Sequence, residues 1–108
     1  MALQVATLSI EAIEALRPLI PRIKGRDRSL ADQLVRAASS VALNIAEGEA
    51  SDPGNQKARF YTAAGSASEA LAALRVAVAW GYLKTAEAED AAALLRRIVA
   101  ILWKLTRR

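Results

Sequence analysis

Cysteine and histidine are both absent from the 108 residues. With them go disulfides, thiol nucleophiles, thiolate or imidazole zinc sites and histidine-centred triads. Any chemistry would have to rest on carboxylates, lysines, tyrosines or an assisted serine. Long apolar runs are missing too. The longest uncharged stretches, residues 1–10 and 37–46, hold ten residues each, whereas a helix needs about 20 to cross a bilayer. The first residues also lack the basic start and apolar run of a secretory signal. A cytoplasmic protein without cofactor or membrane partner is therefore expected.

What is present is globular in balance: 54% hydrophobic and 24% charged residues, too apolar for a disordered chain. The length suits one domain, taken as residues 1–108, and leaves little room for a separate catalytic lobe. Fifteen basic residues against eleven acidic ones give a formal charge of +4. That excess favours an acidic partner, nucleic acid first, because clustered lysine and arginine release counterions on meeting phosphate. Ordinary solvated helix faces account for the same excess.

Twenty-five alanines and only five glycines point to helices. The first, about residues 6–23, carries Ile10, Ile13, Leu16 and Ile20 at three- and four-residue spacing, one stripe on a 3.6-residue period. Pro18 and Pro21 predict a kink or early stop. Ser29 with Asp32 resembles a capping box opening a second helix that runs to about residues 48–50. Asp52 then reads as the N-cap, and Pro53 as the first residue, of a third helix ending near Trp80, with Gly81 as its left-handed terminator. Thr85 is the expected cap of the fourth, whose acidic start and basic end, Lys104, Arg107 and Arg108, suit the helix dipole. Short connections predict an all-α, antiparallel, up-down-up-down four-helix bundle.

Folding the second and third helices about the turn places Leu34 level with Leu71, Ser40 with Gly65, Asn44 with Tyr61, and Arg36 with Glu69, the last two as an interhelical ion pair. The fourth helix brings Trp103 opposite residues 63–65 as a packing ring. The far half of the third helix, residues 70–83, holds Arg75 as its one charge. An apolar outer surface there predicts burial against another copy.

Between residues 29 and 83 the chain resembles a bacterial helical-bundle family. That family includes proteins encoded in intervening sequences of 23S ribosomal RNA genes and accessory variability determinants of diversity-generating retroelements. The resemblance lies in Ser29-Leu30, the run from Asp32 to Ser40 that includes Arg36, Asn44-Ile45-Ala46-Glu47-Gly48, Ala64-Gly65-Ser66 with Glu69, and Gly81-Tyr82-Leu83. It implies a cytoplasmic bundle, commonly a homopentamer, and for the retroelement branch a basic barrel that binds nucleic acid and a reverse transcriptase. The chain departs from many relatives after Glu47-Gly48, where Glu49 and Asp52 stand in place of bases.

The nucleic-acid candidates are Arg22, Lys24, Arg26 and Arg28 in the first connection, with Lys57 and Arg59 after the second. Arg36, Asn44, Glu47, Gly48, Gly65, Ser66 and Glu69 are read as structural, with Glu47 meeting Lys57 or Arg59 across the turn. Glu47 and Glu69 lie too far apart for a carboxylate pair, and di-iron bundles need Glu-x-x-His elements. Gly48 and Gly54 do not make a phosphate loop. Ser66 has no base. The expectation is a non-enzymatic, self-associating binding or scaffold module, the alternative being an interaction protein with no nucleic-acid affinity.

Overall fold

The computed structural model describes residues 2–107 and is all-helical across them. The helices are α1 (Ala2–Leu16), α2 (Ile20–Lys24), α3 (Arg28–Glu49), α4 (Pro53–Ala79) and α5 (Thr85–Thr106). Arg108 lies outside the described residues.

Five helices stand where the spacing predicts four, because the prolines divide the first. Arg17 N–H still donates to the Ile13 carbonyl at 2.9 Å, but Leu19 bonds back only three residues, to Leu16 at 2.8 Å. Pro18 has no N–H with which to continue the ladder. Pro21 sits in the first turn of α2, where the missing donor has no partner to lose. Five residues would not hold a helix by themselves. Buried Leu19 and fully buried Ile23 fix this one to the core.

The caps differ from expectation at two of three sites. Asp27, in extended conformation, accepts the Leu30 N–H at 3.0 Å. Ser29 is therefore already helical, and the expected box with Asp32 does not form. Likewise Lys84 occupies the N-cap of α5 and Thr85 its first turn. The capping bond comes from Glu87, whose Oε1 accepts the Lys84 N–H at 2.8 Å. At α4 the expectation holds: Asp52 accepts the Asn55 N–H at 3.1 Å, and Pro53 follows it. Gly81 at φ +81° ends α4 as expected. There Tyr82 N–H bonds Ala77 O and Gly81 N–H bonds Val78 O, each at 2.9 Å, the Schellman pattern that satisfies the last carbonyls.

α3 packs on α4, α4 on α5, α5 on α1, and α1 with α2 on α3. Between α3 and α4, Ser40 meets Ser66, Glu47 meets Arg59 and Gly48 meets Phe60, so numbers rise on one helix as they fall on the other. α4 brings six alanines to the interior, Ala63, Ala64, Ala67, Ala70, Ala73 and Ala77, with only Phe60 and Leu74 as large buried side chains. The larger volume comes from its neighbours, through Leu34, Ile45, Leu95, Ile98 and Leu102.

Two glycines separate a packing role from a neutral one. A Cβ on Gly48 would lie 2.6 Å from the buried Phe60 ring, whereas one on Gly65 meets nothing within 4 Å. Gly65 is exposed and does not face Ser40; Ser66 takes that place. Urea denaturation of Gly48→Ala is expected to show a net loss of about 1–2 kcal/mol, overpacking outweighing the gain in helix propensity. Gly65→Ala should gain about 0.5–1 kcal/mol from propensity alone.

The cap of α4 is pH-sensitive. The Asn55 backbone N–H, then its side-chain amide, hold the exposed Asp52 carboxyl below the ordinary aspartate value. A carboxyl depressed on folding supports the structure fully above its unfolded pKa, and that support fades as the pH falls through the lowered value. The Asn55 amide resonance should therefore titrate with a midpoint below that of an unstructured aspartate. Asp52→Asn should keep the cap and abolish the step.

Candidate functional site

Four of the six basic candidates sit at one end of the molecule, where α2 and the start of α3 meet the turn between α4 and α5. Two of them are engaged within the chain. Arg22 pairs with Glu87 near the start of α5, and the Arg26 guanidinium lies over the Tyr82 ring, 5.4 Å from its centroid. Lys24 and Arg28 are exposed. Lys57 and Arg59 belong to the opposite end, since Arg59 reaches Glu47 at 3.1 Å and Glu47 lies about 28 Å along α3 from Arg28 at 1.5 Å per residue. The six residues are thus not brought together as one patch.

The motif residues line the seam of α3 and α4. Asn44 donates through Nδ2 to the Ser40 carbonyl at 2.9 Å and to Ser40 Oγ at 3.0 Å, and Ser40 Oγ bonds Ser66 Oγ at 2.8 Å. Asn44 therefore serves the seam through Ser40 on its own helix, joining α3 to α4 through a chain of hydroxyls. Gly48 gives up its side chain to the Phe60 ring, and its carbonyl accepts from Gln56 Nε2 at 3.2 Å. Glu47 meets Arg59 as expected. Arg36 and Glu69 do not pair: both are exposed, and no ion pair joins them among the described residues. Their heights match, but each points outward from its helix. The same described residues hold no group of three or more acidic side chains suited to a metal ion.

Two further surfaces emerge only once the helices are packed. Along α1 and α3, Ile10 (53% exposed), Val35 and Leu43 (63% exposed) stand in water. Between them runs a groove of about 290 Å³ lined by Ile13, Leu16, Arg17, Ile20, Pro21, Leu34, Val35, Ala38 and Ser39. The groove lies at the break in the first helix, with Leu16 and Arg17 before the break and Ile20 and Pro21 after it along its wall. A second apolar edge lies on α4, where Val76 and Trp80 are exposed.

On the seam of α4 and α5, Tyr61 meets Trp103 edge to face, centroids 5.4 Å apart. Trp103 is half-buried and packs near the expected level, though on a tyrosine where small residues were anticipated. Farther along, Ser68, Arg75 and Arg96 line one groove, and Arg96 takes Glu89 at 2.7 Å. Of this basic and aromatic face, the sequence reading singled out only Lys57 as a nucleic-acid contact. The signal was present in Lys57 with Tyr61 and Trp103 with Arg107, each four apart and so stacked on one helix face.

Comparison with known proteins supports the same fold. No curated protein matches the chain in sequence. A protein of unknown function from the S23 ribosomal protein family of Bacteroides thetaiotaomicron, known from a 1.70 Å crystal structure, superposes with a TM-score of 0.86 over 96% of this chain and 99% of that one. At 18% identity that likeness concerns the fold alone. The profile of the 23S rRNA-intervening sequence proteins matches residues 2–104. Since that match runs over nearly the whole sequence, the chain belongs to the 23S rRNA-intervening sequence protein family.

Proposed function

We propose that the protein is a non-enzymatic binding or scaffold module of the cytoplasm, an antiparallel up-down-up-down four-helix bundle that assembles with copies of itself. Its cargo is nucleic acid or an enzyme that works on nucleic acid. The reading is supported first by the exposed apolar face of α1 and α3, centred on Leu43. Large aliphatic side chains left in water around an apolar groove mark a contact surface.

The contact is proposed to be heterologous. The α1–α3 groove and the α4 edge at Val76 and Trp80 are different surfaces on one chain, so groove-to-edge docking adds copies head to tail until the ring closes. The homopentamer implied by the family resemblance is a ring of this kind. The absence of cysteine and histidine supports the non-enzymatic part, and the charge of +4 supports an acidic cargo. No helix among the described residues is long and apolar enough to cross a membrane. The second reading, a protein-interaction module without nucleic-acid affinity, is favoured by Arg22 and Arg26 being engaged inside the chain.

Light scattering after size exclusion tests the assembly. Wild type should elute as a closed oligomer at micromolar concentration, whereas Leu43→Arg on the apolar face beside the groove and Trp80→Arg on the edge should each yield monomer. Mixing the two variants should give a dimer and nothing larger, because one intact groove then meets one intact edge. A wild-type monomer would remove the proposal, and assembly unaffected by both changes would remove this interface.

A further inference from the structure

The face formed by α4 and α5 has a charge distribution that the fold does not require. Residues 53–68 and 91–107 contain no acid, while they hold Lys57, Arg59, Arg96, Arg97, Lys104 and Arg107, of which Arg59 turns away to Glu47 of α3. Only part of this excess serves the dipole of α5, whose effect is confined to the last turn. By the 100° helical step, Lys57, Tyr61 and Arg75 fall within about 40° of one another on α4, and Arg96, Trp103 and Arg107 within about 40° on α5.

The edge-to-face contact of Tyr61 with Trp103 sets these two stripes side by side, and Arg75 with Arg96 closes the groove farther up. Tyr61 remains 61% exposed despite its aromatic neighbour. Of the acids near this face, Glu89 is paired with Arg96, and Asp52 at the tip caps α4.

Aromatic rings beside spaced cations are the recurring means of holding a single strand. The cations follow the phosphates, while ring faces stack on bases that a duplex would keep covered. Lys57 and Arg75 lie about 27 Å apart along α4 at 1.5 Å per residue. That spans about eight nucleotides at 3.4 Å each if the strand is stacked, and fewer if it is extended.

We infer that the α4–α5 face binds a single strand of nucleic acid, with phosphates along Lys57, Arg75 and Arg107 and unstacked bases against Tyr61 and Trp103. The inference rests on the nucleic-acid reading above and adds to it the face and the strandedness. It leaves the α1–α3 groove free for assembly, and Val76 and Trp80 lie about 100° and 140° around α4 from Arg75 by the helical step.

The test is fluorescence anisotropy of the full chain with a labelled oligothymidylate of about 15 nucleotides, within the usual site sizes, and with a duplex of equal length. The single strand should bind about tenfold or more tightly than the duplex at low salt, and weaken steeply as salt rises. Arg75→Glu should lower that affinity about tenfold and flatten the salt dependence. Tyr61→Ala should lower it by a similar factor with the salt dependence unchanged, and Tyr61→Phe should retain it. Both positions are exposed, and circular dichroism checks that the helices persist.

Equal binding of duplex and single strand, with Tyr61→Ala silent, would overturn the inference and leave the broader nucleic-acid reading standing. So would a loss confined to Lys24→Glu or Arg28→Glu, which would move the site to the first connection. Altered assembly in Arg75→Glu with unchanged oligonucleotide binding would make the face a protein contact. No binding of either probe at low salt would remove the inference and the nucleic-acid reading together.

Discussion

The close approach of α3 to α4 is the constraint to which the other helices adjust. It is set where Gly48 lies beneath the Phe60 ring and where α4 presents alanine after alanine to the interior. Small side chains bring the two backbones near enough for Ser40 and Ser66 to exchange a hydrogen bond across the seam. They also leave little volume to exclude water, so the large apolar side chains of α1, α3 and α5 must fill the remainder. A helix that is alanine on its inner face can be nearly as apolar outside as inside. For that reason α4 reads poorly as an amphipathic rod and still packs without ambiguity.

From this economy of volume comes the division of the surface. Side chains that are not needed to fill the core remain outside, and they are sorted by face. Isoleucine, valine and leucine stand along α1 and α3. Bases and two aromatic rings stand along α4 and α5. Because α1 packs on α3 and α5 while α4 packs on both of the same helices, the apolar seam and the basic seam lie on opposite sides. A molecule so polarised can meet a charged polymer on its α4–α5 side while the α1–α3 groove and the Val76–Trp80 edge take neighbouring copies.

The fold was legible wherever one residue's chemistry decides its conformation. Asp52 and Pro53 begin α4, Gly81 ends it, and Pro18 with Pro21 divides the first helix, each for a local reason. The family was legible too, through Asn44, Glu47, Gly48 and their companions across the seam. The caps at Asp27 and Lys84 were misplaced by one or two residues, because several polar side chains in a row compete and only the backbone angles choose between them. Arg36 and Glu69 failed to meet although their heights agreed, since rotational phase is fixed by packing and not by numbering. The basic candidates misled for a related reason: density along the chain favoured the first connection, yet folding gives two of its arginines partners. The α4–α5 stripe draws its members from two distant segments, and only the packed seam unites them.

One seam stands apart from the others in how it closes. α3 with α4 and α4 with α5 are joined by tight turns, so their pairing costs little loop entropy, but α1 meets α5 across most of the length of the chain. Closing so long a loop adds an entropic cost that grows slowly with its length and is met only when the rest is in place. α1 should therefore dock last and release first, as a cooperative opening unit of lower free energy than the α3–α5 body. Its release dismantles the groove it shares with α3. Occupancy of that groove by a neighbour and retention of α1 on its own body are consequently linked: whatever binds there protects the amide protons of α1 from exchange, and whatever frees α1 dissolves the contact.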